Sequence, residues 1–184
     1  MTNVEPEGQI TIYLGLGSNV GDREAKLGEA ICRIGELEVE ITRNSSIYET
    51  EPVGLVDQPW FLNQVIQARL SVQPTAGEAA TFLYKLLDIE REMGRERVIA
   101  NGPRLIDIDL LLFDDLVVHK SSGTASCNSA DMVLPHPRMH ERRFVLEPLC
   151  EIAPDLIHPV LQKTCREILA SLADESIVML FKKQ

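Results

Sequence analysis

A short apolar run that contains two acids constrains the fold of this chain more than any other feature. From Leu105 to Phe113 the sequence is rich in Ile and Leu, and Asp107 and Asp109 stand two residues apart within it. The pattern predicts a β-strand with both acids on one face, their Cβ atoms about 6–7 Å apart. Two unpaired like charges on a buried face are costly. The pair therefore requires a cation, which is either a metal ion or arginine.

Arginines, with no lysine among them, precede this strand. They are Arg91, Arg95, Arg97 and Arg104. A guanidinium offers a planar fork of donors that matches phosphate oxygens. Gly94 and Gly102-Pro103 break helix and strand, which predicts a loop that can close. The combination favours a metal and polyphosphate site, whereas the alternative is a surface network of Arg–Asp salt bridges.

The composition limits the classes of protein to which the chain can belong. Its 184 residues and 45% hydrophobic content predict a single domain, residues 1–184, with an N-terminal tail at 1–8 and a Ser-rich loop at 121–131. The formal charge of −10 argues against binding to nucleic acid or to acidic membranes. No signal peptide or membrane span is apparent, so we expect a cytoplasmic protein. The dispersed cysteines, which form no CxxC pair, favour reduced thiols.

Periodicity predicts the order of secondary structure elements. The strands are expected at Gln9–Leu16, Val39–Thr50, Phe61–Leu70, Leu105–Phe113, Leu116–His119 and Ile177–Phe181. Four helices are expected: Asp22–Leu37, one from Pro74 to about Met93, an apolar one that ends at Leu149, and Val160–Leu172. The segment Gly15-Leu-Gly17-Ser-Asn19 lacks the lysine of a Walker A loop and a full GxGxxG. It is interpreted as a strand-to-helix turn rather than a phosphate loop.

One run of residues resembles the signature of a known enzyme family. Gly102-Pro103-Arg104-x-x-Asp107-Ile108-Asp109-Leu110-Leu111, preceded by Gly94-Arg95-x-Arg97, is similar to the motif of the 6-hydroxymethyl-7,8-dihydropterin pyrophosphokinases of folate biosynthesis. The resemblance extends over roughly residues 9 to 160. It implies an α+β fold, a ferredoxin-like βαββαβ sandwich with additional C-terminal helices.

The resemblance also implies a reaction. A pyrophosphokinase, a diphosphotransferase of the EC 2.7.6 type, transfers pyrophosphate from ATP to 6-hydroxymethyl-7,8-dihydropterin and releases AMP and the pterin diphosphate. Two Mg²⁺ ions would be held by Asp107 and Asp109, and Arg95 and Arg104 would complete the catalytic set. The general base is left open between the two aspartates, and magnesium alone is a third way to acidify the hydroxyl.

Substrate contacts follow from the resemblance, position by position. The ATP-binding residues would be Glu90, Arg95, Arg97, Arg104, Leu110, His136 and Arg142. The pterin-binding residues would be Thr50, Glu51, Val53, Phe61, Asn63 and Phe144. The residues alone favour an Asn63 amide satisfied by backbone, whereas the resemblance makes it the reader of the ring edge.

Two other functions compete with this one. The first is a non-catalytic nucleotide-binding module on the same fold, in which the arginines and aspartates form salt bridges. The second is another magnesium-dependent phosphotransferase that acts on a different heterocyclic alcohol. In the favoured interpretation the partners are ATP and the pterin, with no nucleic acid and no membrane, and the protein is a monomer.

Overall fold

The structure is a computed structural model, which describes residues 8–95, 102–119 and 132–182. Its strands are β1 (Gln9–Ser18), β2 (Glu40–Asn44), β3 (Tyr48–Thr50), β4 (Phe61–Ser71), β5 (Asp107–Phe113) and β6 (Val178–Leu180). Its helices are α1 (Arg23–Gly35), α2 (Ala76–Glu92), α3 (Arg143–Ile152) and α4 (Cys165–Ala170), with a 3₁₀ turn at Met139–Glu141 before α3. The expected mixture of helices and strands is confirmed.

The strands form one antiparallel sheet in the order β5-β1-β4-β3-β6. The long strand β4 pairs along one edge with β1, and along its other edge with β3 near its start and β2 further on. Strand β5 lies on the far side of β1. The strand with the two acids and the strand with Asn63 therefore flank β1.

The two faces of the sheet are covered by different helices. The even-numbered apolar residues of β1, such as Ile12 and Leu14, pack with α1 and α2 in the larger core. On the other face, Tyr13 joins a smaller core with residues of α3 and α4. This second layer covers only part of its face.

Helices α1 and α2 begin where the sequence predicts. The Asp22 side chain accepts a hydrogen bond from the Ala25 N–H at 3.0 Å, and the Thr75 hydroxyl accepts one from the Glu78 N–H at 3.2 Å. These caps satisfy backbone donors that a first helical turn leaves unpaired. No helix in the described ranges is both long and apolar enough to cross a lipid bilayer.

Three predicted elements differ in the structure. The expected strand Val39–Thr50 is two strands, because the Ser45 hydroxyl accepts a hydrogen bond from the Val65 N–H at 3.0 Å between them. The expected strand Leu116–His119 is reduced to one isolated bridge, at Val118. The expected helix Val160–Leu172 is only α4, since a capping box between Thr164 and Glu167 starts it late.

Candidate active site

A cavity of about 720 Å³ opens on the sheet face that α3 and α4 leave uncovered. Its floor is formed by β5, β1 and β4, and its rim by the loop after β3, the segment Gly102–Arg104 and the start of α3. The predicted site residues that line it are Thr50, Glu51, Val53, Phe61, Asn63, Arg95, Arg104, Asp107, Asp109, His136, Arg142 and Phe144. The fold thus gathers residues from distant parts of the sequence around one space.

Two glycines of β1 create the open floor of the cavity. Gly17 pairs with Asp107 on one side and with Asn63 on the other, so the three residues form a row across three strands. A Cβ atom on Gly17 would lie only 2.8 Å from Asn63 Oδ1, closer than real Cβ contacts come. Gly15 lies on the same face, next to Asp109. The absence of side chains here leaves room between the acids and the amide.

The sequence pattern does not assign these glycines to the site. It predicts that the first strand ends at Leu16 and that a turn follows, whereas β1 continues to Ser18. Glycines at alternate positions of a strand share one face, and an interior strand glycine often marks a close approach of another group. The alternate spacing of Gly15 and Gly17 is therefore the feature of the sequence that could have predicted the open floor.

Asp107 is fully paired with arginine in this structure. Its Oδ1 lies 2.6 Å from Arg95 Nη1 and its Oδ2 lies 2.5 Å from Arg104 Nη1. The Arg104 guanidinium also stacks over Phe61, with Cζ 5.6 Å from the ring centroid. For Asp107, the cation that the sequence predicts as a partner of the acid pair is therefore arginine.

Asp109 has a different environment. Its nearest described basic side chain is His136, whose Nε2 lies 3.9 Å from Asp109 Oδ1, beyond hydrogen-bond distance. Burial, and then the negative charge of Asp107, raise the pKa of Asp109 to about 6. A half-buried carboxylate that lies beside a second one and has no arginine or lysine nitrogen within 4 Å among the described residues fits a site for a divalent metal ion.

The described residues hold no cluster of three or more His, Cys, Asp or Glu side chains that could bind a metal ion. An ion on Asp107 and Asp109 would need its other ligands from elsewhere. Magnesium is commonly bound in this way, by one or two carboxylates together with phosphate oxygens and water.

Glu90 lies beneath the cavity rather than in its wall. It is 2% exposed, pairs with Arg95, and accepts a hydrogen bond from the Ile108 N–H at 2.6 Å. Burial raises its pKa to about 7, against the opposing charge of Arg95. Glu90 thus orients Arg95 and ties it to β5. Leu110, also predicted as an ATP contact, is buried in the larger core and does not line the cavity.

His136 and Arg142 form the wall opposite the arginine pair. The backbone N–H of His136 donates to the Leu111 carbonyl at 2.8 Å. The ring Nδ1 of His136 accepts from the backbone N–H of Arg138 at 3.3 Å, so Nε2 carries the ring proton. Burial, and then the charge of Arg142, lower the pKa of His136 to about 4. His136 is therefore neutral near pH 7. Arg138 lines the cavity as well, although the sequence analysis gave it no role.

The residues predicted to bind a pterin form the other end of the cavity. Asn63 Nδ2 donates to the Thr50 hydroxyl at 2.7 Å, and among the described residues Asn63 Oδ1 accepts no hydrogen bond. Phe61 and Phe144 both line this end, and Arg142 Cζ lies 5.3 Å from the Phe144 ring centroid. An amide oxygen in the cavity wall can accept a hydrogen bond from a bound ligand.

The remaining predicted contacts are less enclosed. Glu51 Oε1 accepts a hydrogen bond from the Ile177 N–H at 2.8 Å, which links the cavity rim to the segment before β6. Val53 is half exposed at the cavity mouth. Arg97 and the Ser-rich loop at 121–131 lie outside the described residues.

Comparisons with known proteins agree on one family. The sequence model of 7,8-dihydro-6-hydroxymethylpterin-pyrophosphokinase (HPPK) matches residues 13–154. A 2-amino-4-hydroxy-6-hydroxymethyldihydropteridine pyrophosphokinase of Bacillus subtilis is 36% identical over 177 residues, which cover 94% of this chain and 90% of that protein. The folic acid synthesis protein fol1 of Pneumocystis carinii is 35% identical over 166 residues, which cover 90% of this chain and only 20% of that longer protein.

A solved structure shares the fold. The HPPK-DHPS of Plasmodium falciparum, crystallised with pterin and p-hydroxybenzoate, superimposes with a TM-score of 0.65 at 15% sequence identity. The match covers 90% of this chain and 43% of that one. At this identity the likeness concerns the fold.

The space at Gly17 gives a first prediction. We expect Gly17→Ala to destabilise the protein by about 1–3 kcal/mol, because the new methyl group must push the Asn63 amide away from Thr50. The matched control is Gly28→Ala in α1, where no atom lies within 4 Å of the added methyl group, and which should stabilise by about 0.5–1 kcal/mol. Urea denaturation measures both changes. Equal stability of Gly17→Ala and wild type would contradict the close contact.

The lowered pKa of His136 gives a second prediction. The folded protein keeps His136 neutral down to about pH 4, whereas the unfolded chain binds this proton below about pH 6.5. Falling pH therefore favours unfolding through this residue, between pH 6.5 and pH 4. His136→Asn has no such proton to bind. Its free energy of unfolding, relative to that of wild type, should therefore rise by about 1–2 kcal/mol from pH 7 to pH 5. Parallel pH profiles of the free energy of unfolding would show that His136 titrates normally.

Proposed function

The chain belongs to the 7,8-dihydro-6-hydroxymethylpterin-pyrophosphokinase family, and we propose that it transfers pyrophosphate from ATP to the hydroxymethyl group of 6-hydroxymethyl-7,8-dihydropterin. The products are AMP and the pterin diphosphate. The observation that carries the proposal is the row Asp107, Gly17 and Asn63, which puts an acid pair with arginines at one end of a single cavity and a buried amide with two aromatic rings at the other.

The arginine end of the cavity is proposed to bind the triphosphate. Arg95, Arg104 and Arg142 face this space, and neutral His136 presents an N–H that can donate to a phosphate oxygen. Glu90 holds Arg95 in place from below. Arg97 is proposed as a further ATP contact on the basis of the motif alone.

The acid pair is proposed to hold two magnesium ions together with the phosphate oxygens. When bound, such ions draw negative charge from the phosphates and lower the pKa of a nearby hydroxyl. The pterin hydroxyl oxygen forms a bond to the β-phosphorus, and the bond from that phosphorus to the oxygen bridging to the α-phosphate breaks, so AMP leaves. The hydroxyl proton passes to Asp107, Asp109 or solvent. Positioning and charge stabilisation supply most of the catalysis, as in other phosphoryl transfers.

The other end is proposed to read the pterin. Asn63 Oδ1 can accept from a ring N–H at the edge of the heterocycle, while Thr50 fixes the amide orientation. Phe61 and Phe144 lie where a planar ring can be enclosed between aromatic side chains. Glu51 and Val53 complete the rim on this side.

The strand order supports the finer fold assignment that we propose. In a ferredoxin-like βαββαβ sandwich the last strand lies beside the first, and the hairpin strands follow on its other side. Here β5, β1 and β4 fill three of these places, and β2 and β3 share the fourth. Helices α3 and α4 are then additions to that core. A single domain, a monomeric state and a cytoplasmic location stay predictions.

The non-catalytic alternative is weighed against the same contacts. It requires salt bridges between arginine and aspartate, and Asp107 has them. It does not require Asp109, which has no arginine pair among the described residues, nor a cavity in which the Asn63 amide lies beside two aromatic rings. These two features support catalysis.

The acid pair is tested by nucleotide release. We expect wild type to release AMP from ATP and magnesium only when the pterin alcohol is present, and Asp107→Ala and Asp109→Ala to lower this rate by about 100-fold or more, because each removes a proposed metal ligand. The matched control is Asp115→Ala, an exposed acid in the turn after β5. Chromatography of the nucleotides measures the rate. ATP binding without AMP release favours the binding module, and release of ADP indicates γ-phosphoryl transfer.

The pterin reader is tested separately by binding. We expect Asn63→Ala to weaken pterin binding by about tenfold or more, because it removes the buried amide that faces the ring. Binding of an ATP analogue should stay within about twofold of wild type, since Asn63 contacts none of the proposed triphosphate ligands. Asn44→Ala, an exposed amide in β2, is the control. Unchanged pterin binding would favour a phosphotransferase for another alcohol; calorimetry measures both ligands.

A further inference from the structure

Asn19 uses every polar atom of its side chain to join two segments of the cavity rim. The residue follows β1 directly and is 2% exposed. Its Oδ1 accepts a hydrogen bond from the Arg104 N–H at 2.7 Å, and its own N–H donates to the Arg104 carbonyl at 3.1 Å. Its Nδ2 donates to Gln58 Oε1 and to the Pro59 carbonyl, both at 3.0 Å.

The two segments lead into different strands of the cavity floor, one into β5 and the other into β4, and the Arg104 guanidinium lies over the Phe61 ring where they meet. Arg104 carries the guanidinium that pairs with Asp107. Gln58 and Pro59 belong to the loop that leads into Phe61 at the aromatic end. Asn19 is thus a fixed link between the arginine end and the aromatic end, made outside the cavity.

A second contact holds the same loop. Arg23, in the first turn of α1, donates from Nη1 to the Trp60 carbonyl at 2.8 Å and pairs with Glu49 in β3 at 2.8 Å. The connection from β1 to α1 therefore grips the loop at two successive residues. Only Asn19 also grips Arg104 among these described contacts.

The chemistry of the contact requires an amide. The Asn19 side chain must accept a hydrogen bond from the Arg104 N–H and must donate to two oxygens, Gln58 Oε1 and the Pro59 carbonyl. A carboxamide offers both an acceptor and two donors. A carboxylate of the same shape keeps the acceptor for Arg104 but turns two donors into acceptors that face Gln58 Oε1 and the Pro59 carbonyl. Gln58 does not relieve this by turning its amide over, because its Nε2 donates to the Leu55 carbonyl at 2.7 Å.

We propose that Asn19 is a positioning residue, which sets the arginine end and the aromatic end of the cavity at the separation that transfer requires. Asn19 does not line the cavity, so it acts through Arg104 and through the loop before Phe61. This role rests on the function proposed above. It also gives Asn19, the residue directly after β1, a purpose beyond that of a turn.

The chain contains its own probe of the loop. Trp60 is the single tryptophan of the sequence, and it adjoins Pro59. In the absence of any substrate, we expect Asn19→Asp to increase acrylamide quenching of the Trp60 fluorescence, because the loop loses both hydrogen bonds to the amide. The matched control is Asn44→Asp, which makes the same chemical change at an exposed position of β2 and should leave quenching unchanged. This readout does not depend on any activity.

Steady-state kinetics then separate positioning from a general loss of structure. We expect Asn19→Asp to lower kcat and to raise the KM for the pterin by about tenfold each, as loss of buried hydrogen bonds predicts. The KM for ATP should rise less than the KM for the pterin, because Arg104 is the one proposed triphosphate ligand among the described residues that Asn19 contacts, whereas Arg95, His136 and Arg142 keep their own contacts. If Asn19→Asp does not fold, Asn19→Ser, which keeps a small hydrogen-bonding side chain, is measured in the same way.

Each outcome decides between the proposals. Unchanged quenching, or a lower kcat with both KM values unchanged, overturns the positioning role while the function stands. No pterin-dependent AMP release by wild type overturns the function, and the quenching result then still shows whether Asn19 holds the loop. Increased quenching together with the kcat and pterin KM change supports the positioning role.

Discussion

The register of β1 against its two neighbours is the constraint on which the whole site depends. Gly17 faces Asp107 and Asn63 only because the odd-numbered residues of β1 point to the cavity. The even-numbered residues, which include Ile12 and Leu14, are buried against α1 and α2. A shift of one residue would move that apolar set to the open face. The hydrophobic core therefore determines where the acids and the amide meet.

Charge in the site is compensated locally, in a chain whose formal net charge is −10. Arg95 lies between Glu90 and Asp107, and Arg104 pairs with the other oxygen of Asp107. Removing one partner of such a partly buried pair leaves the other charge poorly compensated, which is destabilising. The arginines are thus held in place before any anion arrives, which favours binding because less side-chain order must be gained with the ligand.

The sequence predicted the parts of the site that depend on local pattern. Alternation around Asp107 and Asp109 gave the correct strand and the correct face, as their half-buried positions between buried neighbours confirm. Glu90, which the resemblance makes an ATP contact, is buried in α2 and pairs with Arg95 instead of lining the cavity. The role of Gly15 and Gly17 was not predicted, because it depends on which residues the adjacent strands place beside them. The divided strand at Ser45 and the short α4 reflect side-chain hydrogen bonds that compete with regular structure.

On the proposed function, the pairing of Asp107 implies that nucleotide and metal bind together. Both oxygens of Asp107 are engaged by arginine, so a metal ion competes with Arg95 and Arg104 for this ligand and gains it more readily when the arginines turn to another anion. The triphosphate is such an anion. It also brings oxygen ligands for the metal ion, whereas the described residues hold no cluster of three or more His, Cys, Asp or Glu side chains. Either ligand alone would leave a buried charge without a partner, which is costly. The arginine–aspartate contacts that resemble a structural salt bridge thereby oppose occupation of the metal site until ATP is present.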